Sequence, residues 1–252
     1  MPLTLTPIPN IPLIQPGDDL AGIILHALQQ SSIFNLKTND ILVIAQKIVS
    51  KAEGRLVELA SVIPSTAALE LAAKTQKDPR LTQLILRESS AVLRARPGLV
   101  IVEHRLGFVC ANAGIDHSNA VGDDQSALLL PENPDRSAAE IRTRLEAACG
   151  QRLGVMIIDS HGRAWRVGTV GTVIGLSGIP GIVDLRGMID LTGYTLKNTV
   201  VAAADELAAA ASLIMGQAAE GTPVVHVRGF PYPLREGSLE EMLRPKEQDM
   251  FR

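Results

Sequence analysis

The sequence predicts an α+β fold: two lobes of mixed and antiparallel sheet with flanking helices. Three observations carry this. Apolar runs of strand length alternate with stretches of helical periodicity. Leu99–Glu103 and Leu106–Cys110, separated by a short turn, read as a hairpin, which argues against a purely parallel sheet. No internal repeat, low-complexity segment or Pro/Ser linker interrupts the 252 residues, so residues 1–252 read as one two-lobed unit.

The elements follow in chain order. Asp18 or Asp19 caps a helix whose apolar positions Leu20, Ile23, Ile24 and Leu28 recur at helical spacing. Asn39-Asp40 punctuates, and Ile41–Ile44 is a buried strand. Helices are predicted over Ser65–Lys74 and Pro79–Leu93, the second with proline near its start. After the hairpin, a helix is expected over Ser137–Ala148, with Ser137 as cap and Glu140 three residues on. Gly154–Ile158 is a second apolar strand, with Asp159-Ser160 at its exit. The Gly-rich, β-branched run Thr169–Gly181 suits strands that other backbone approaches closely. An Ala-rich helix over Asn198–Gly216, a strand over Thr222–Val227 and a charged, helix-prone tail from Ser238 complete the chain.

Composition narrows the function. Hydrophobic residues make up 46% and charged residues 20%, which excludes a disordered chain. Aromatics are 3%, so Leu, Ile, Val and Ala build the core. A chain of this size folds to an accessible surface of about 11,000 Å². Lys plus Arg number 24 against 27 Asp plus Glu, and a net charge of −3 disfavours a nucleic-acid binder. Cys110 and Cys149 fit no zinc or redox spacing and read as reduced, small apolar residues. Met1–Asn10 lacks a leader pattern, and Asp205 and Glu206 interrupt the long apolar run Thr199–Gly216, so no membrane span is expected and the cytoplasm is the expected compartment. There is no P-loop, no Gly-x-Gly-x-x-Gly, no Gly-x-Ser-x-Gly and no His-Glu-x-x-His.

Four polar constellations remain. Asn112–Asn119 packs two amides, Asp116, His117 and a hydroxyl into eight residues, which suits a hard cation or a turn. Asp159-Ser160 suits a metal that bridges phosphates, or a turn or cap. Lys47 and Lys51, four apart after a strand, share one face of a helix and so form either a phosphate site or a solvated face. Met215–Thr222 places Gly216 and Gly221 where backbone can approach a ligand, or where a helix simply ends.

The order of these segments carries a resemblance. Ile11-Pro12-Leu13-Ile14, Gly17–Leu20, Ser50–Arg55, Asn112–Asp116, Ser118-Asn119, Leu128–Pro131, Asp159–Arg163, Gly175–Gly178 and Met215-Gly216 resemble, in that order, the coenzyme F420-0:γ-glutamyl ligase family, from about Ile11 to Arg244. The resemblance implies a stand-alone ligase, without a C-terminal reductase domain, that adds L-glutamate to F420-0 with GTP through an acyl phosphate. It implies two divalent ions (Mg²⁺ or Mn²⁺), K⁺, and an intertwined homodimer. Carried over by position, Asp116 and Asp159 match first-metal ligands, and Ser160 and Gln217 match second-metal ligands. Ile11, Pro12, Leu13, Ile14, Gln46, Lys47, Lys51, Asn119, and the run Met215, Gly216, Gln217, Ala218, Ala219, Glu220, Gly221 and Thr222 match GTP-contacting segments. Arg163, Arg166, Arg186, Lys197 and Arg228 are candidates for the anionic acceptor. A ligase for a different anionic acceptor and a GTP-binding regulatory module without turnover are the alternatives.

Overall fold

The computed structural model describes residues 2–31, 35–117 and 125–250. Its elements in order are β1 (Thr4–Pro7), α1 (Leu20–Gln30), β2 (Ile41–Ala45), α2 (Gln46–Ala52), β3 (Leu56–Glu58), α3 (Thr66–Thr75), α4 (Pro79–Arg87), β4 (Ser89–Arg96), β5 (Leu99–His104) and β6 (Val109–Ala111). They continue with β7 (Asp116–His117), β8 (Ser126–Leu128), α5 (Pro134–Cys149), β9 (Gly154–Gly162), β10 (Thr169–Ser177), β11 (Val183–Asp184), β12 (Val200–Val201), α6 (Ala203–Met215) and β13 (Val224–Arg228).

The first lobe is a five-stranded sheet in the order β1-β13-β2-β9-β10. Strands β2 and β9 run parallel, and the other neighbours are antiparallel. Leu42 and Ile44 face α1 and α5, whereas Ile41 and Val43 face α6. Covering both faces explains why Ile41–Ile44 is an unbroken apolar run rather than an alternating one. Each such side chain, fully buried, contributes roughly 1.5–3 kcal/mol. Asp19 caps α1 through the Gly22 N–H, as predicted, and also pairs with Arg144 of α5. Asp205, in the first turn of α6, accepts the Val173 N–H at 3.0 Å and ties that helix to β10.

The second lobe holds two three-stranded sheets, β4-β5-β6 and β3-β8-β7, with α3 and α4 packed on Val100, Val102 and Leu129. The predicted hairpin is β5–β6, with its second strand at Val109–Ala111. The lobes are pinned by charge. Buried Glu88 accepts Arg55 and Arg105, each at 2.9 Å, and Arg105 also donates to the Glu132 carbonyl. The tail forms two short 3₁₀ turns, Leu239–Met242 and Lys246–Gln248, rather than a helix, and Lys246 reaches Glu103 of β5 at 2.8 Å.

Several boundaries differ from those predicted. The helix from Pro79 stops at Arg87 because Glu88 turns inward to its arginines and Ser89–Arg96 pairs with β5. Asn133, not Ser137, caps α5, and the Ser137 hydroxyl bonds Glu53 instead. Strand β12 takes Val200–Val201, so α6 begins at Ala203. Strand β9 runs on to Gly162, which places Asp159 inside a strand paired with β10 rather than at its exit.

Among the described residues no helix is long and apolar enough to cross a membrane. Cys110 and Cys149 are free thiols, and burial pushes that of Cys110 up to about 12. The accessible surface is 13357 Å², above the roughly 11,000 Å² expected from size. The ribbon between β11 and β12 contributes to this excess. It leaves Met188, Ile189, Leu191 and Tyr194 exposed.

Glycine at 171 lets the α6 backbone approach β10, and glycine at 175 does the same for the start of α5; a Cβ at 175 would lie 2.4 Å from Pro134. That contact is backbone and cannot swing away, so Gly175→Ala costs about 1–3 kcal/mol in urea unfolding. His104 is fully buried, stacked on Phe108, and accepts the Leu106 N–H. Burial, aided by the Arg105 charge, lowers its pKa to about 4. The unfolded imidazole protonates near 6.5 and the folded one does not, so the stability present above about pH 6.5 is lost as pH falls towards 4. His104→Phe therefore loses less stability between pH 7 and pH 5 than the parent chain, measured by urea unfolding at both values.

Candidate active site

The parallel register of β2 and β9 builds the site. Ala45 lies beside Ile158, so Gln46 and Asp159 follow side by side. The loop from α6 arrives over the same edge, because β13 pairs antiparallel to β2 and Ala45 donates its N–H to the Pro223 carbonyl at 2.8 Å. Just beyond β1, Ile8 donates to Val224 at 2.9 Å, which leads Ile11–Ile14 past that loop. Together these segments enclose a cleft of about 290 Å³.

Its walls differ in character. Ile11, Pro12, Leu13 and Ile14 form an apolar side. Lys47 and Lys51 project from successive turns of α2, on the shared helical face the spacing predicts. Met215, Gly216, Gln217, Ala218, Glu220, Gly221 and Thr222 close the third side; Ala219 is exposed and does not line the cleft. Gly216 is both the cap of α6 and a cleft residue, with φ +74°. Ala45, Ile48, Ile158, Ser212 and Pro223 also line it, and only the fold reveals them.

The second lobe brings Asp116 against two of the cleft residues, although Asp116 does not itself line the cleft. Its Oδ2 accepts the Gln46 amide at 2.7 Å, and its Oδ1 lies 3.7 Å from Lys47 Nζ. Burial raises the pKa of this carboxyl; Lys47 opposes the rise and the charge of Asp159 adds to it. The two carboxylates are therefore electrostatic neighbours although they come from different lobes. Beside Asp159, Ser160 donates to Gln217 Oε1 at 2.9 Å, and the Gln217 amide donates to Ser212 at 3.0 Å. His161 Nε2 lies 3.0 Å from Asp159 Oδ2 without hydrogen-bond alignment, and its ring packs on Phe108.

The donor set is oxygen: two carboxylates, a hydroxyl and an amide carbonyl. Among the described residues no cluster of three His, Cys, Asp or Glu could cage a metal. Few protein oxygens, with ligand oxygens completing the shell, fit a hard ion such as Mg²⁺ or Mn²⁺.

Other candidates lie elsewhere. Asn119 falls outside the described residues. Arg228 is committed to buried Asp40, at 2.6 Å, with His226 on the same carboxylate, and that pair holds Asp40 ionised well below the usual range despite its burial. Arg228 is therefore a structural partner, not an acceptor residue. Arg186 pairs with Asp184, and Lys197 lies 5.9 Å over the Tyr194 ring, both on the exposed ribbon. Arg163 and Arg166 lie at the exposed β9–β10 turn.

Residues 9–229 match the model of the family described as F420-0:Gamma-glutamyl ligase. The chain is 48% identical to a coenzyme F420:L-glutamate ligase of Methanothermobacter thermautotrophicus, with all of both chains covered. It is 46% identical to the enzyme of that name from Methanopyrus kandleri, over 99% of this chain and 98% of the relative. A third, from Archaeoglobus fulgidus, is 43% identical over 98% of this chain and 95% of its own. The chain belongs to the F420-0:γ-glutamyl ligase family.

Proposed function

We propose that this protein uses GTP to add L-glutamate to coenzyme F420-0, first through the lactyl carboxylate and then through γ-linked glutamates. The relatives' shared name supports the substrates. The observation that carries the reading is a cleft lined by Asp159, Lys47 and Lys51, with Asp116 bound to its lining residues Gln46 and Lys47.

The chemistry follows from what a carboxylate lacks. It is a poor electrophile, so its oxygen must first become a leaving group. In-line attack of the acceptor carboxylate on the γ-phosphorus of GTP gives an acyl phosphate and GDP. The glutamate amine then attacks the acyl carbon, phosphate leaves, and an amide forms. Lys47 and Lys51 hold the phosphates by charge, the Ile11–Ile14 wall takes the base, and the loop from Met215 to Thr222 closes over the nucleotide. Asp116 and Asp159, with Ser160 and Gln217, would hold the divalent ions. When bound, such ions neutralise charge developing on the phosphoryl oxygens.

The exposed apolar ribbon supports a homodimer, since an apolar patch of this kind on a soluble protein marks a surface that another covers.

Two experiments test the reading. Protein, F420-0, L-glutamate and Mn²⁺ are mixed with GTP or with ATP, and products are read by mass spectrometry. Glutamyl additions with GTP only are expected, and Asp159→Asn lowers the rate by roughly 10³-fold while the melting temperature holds. Additions with ATP alone, or full activity in the variant, refute it. Leu191→Asp converts a dimer to a monomer in light scattering; an unchanged mass removes the ribbon from the interface.

A further inference from the structure

Gln46 and Lys47 are adjacent, yet they meet Asp116 in opposite ways. Gln46 is 2% exposed. Its Oε1 accepts the hydroxyl of fully buried Ser50 at 2.9 Å, which fixes the amide so that Nε2 faces Asp116 Oδ2 at 2.7 Å. An amide N–H can only donate, so it takes a lone pair on one oxygen and holds the carboxylate's orientation. With both ends of its amide engaged, this side chain serves Asp116 before any ligand enters.

Lys47 is the reverse case. Its side chain is 40% exposed, and its ammonium is 3.7 Å from the other oxygen, Oδ1. A half-exposed pair at that distance is weak, and the flexible stem lets it move. Lys47 also lines the cleft with Lys51, where an entering anion competes for it.

We propose that Asp116 divides its oxygens between a permanent anchor and an exchangeable cation. Gln46 is a positioning residue that holds Oδ2, and Lys47 attends Oδ1 until a divalent ion takes its place, whereupon the ammonium turns to the nucleotide phosphates. This rests on the reading of Asp116 as a metal ligand. It goes beyond that reading by giving neighbouring residues effects of opposite sign: a like charge at one oxygen opposes the ion, and an oriented partner at the other assists it.

The test uses the full chain and Mn²⁺ alone, with free Mn²⁺ read by electron paramagnetic resonance in the absence of nucleotide. Gln46→Ala weakens Mn²⁺ binding by about tenfold. Lys47→Met strengthens it several-fold. A fluorescent GDP analogue titrated in EDTA binds more weakly to the Lys47 variant. An unchanged or weakened Mn²⁺ affinity in Lys47→Met overturns the proposal, as does an unchanged affinity in Gln46→Ala. If Gln46→Ala does not fold, the Lys47 variant decides alone, since that side chain is half-exposed. Asp116→Asn separates the two levels. If the wild type binds no Mn²⁺, or Asp116→Asn binds it equally well, the metal reading itself fails. Asp116-dependent binding without opposite shifts sinks only this inference.

Discussion

Five residues of parallel pairing, Ile41–Ala45 against Gly154–Ile158, set the place of Lys47, Lys51, Asp159 and Ser160 in the cleft. Strand β2 ends there and turns directly into α2, while β9 continues along β10. One strand's end therefore delivers a helical face with two lysines, and its neighbour delivers Asp159-Ser160 at the same level. The C-terminal edge of a parallel pair is where open α/β sheets place ligands, and one such pair inside an otherwise antiparallel sheet suffices here.

That pairing stands because its far end is secured. Asp40 precedes β2 and is buried against Arg228 and His226 of β13. A buried charge of this kind is stable only while its partners remain, and leaving it alone costs about 3–5 kcal/mol. The sheet thus carries its ionic network at one edge for stability and presents its open edge for chemistry. Glu88, with Arg55 and Arg105, plays a comparable part where the second lobe meets the first.

Local signals were legible wherever local physics decided the outcome. The Asp19 cap and the β5–β6 hairpin have short-range causes, and the apolar run of β2 and the glycines of β10 carry their burial and close packing in their own composition. Misreadings came where a distant partner intervened. Apolar spacing continues past Arg87, but β5 claims Ser89–Arg96 as a strand; Asp159 looks like a strand exit, but β10 extends the pairing beyond β2. In the site, the lysine spacing and the two Asp clusters stood out as polar groups next to apolar runs, and the family resemblance sorted them. The Gln46–Asp116 bond spans 70 residues and two lobes, so no window of sequence contains it. Arg228 looked like a free cation because its carboxylate lies 188 residues away.

Asp116 on β7 sits behind the cleft residues Gln46 and Lys47, and Asp159 on β9 lines the cleft, so the spacing of the lobes is also the spacing of two negative charges. Coulomb energy falls off with distance and deepens away from water. Any shift of one lobe against the other is therefore registered at the cleft as a change in the cost of keeping both carboxylates ionised. The pair of carboxylates is thus an electrostatic gauge of how closely the two lobes are held together.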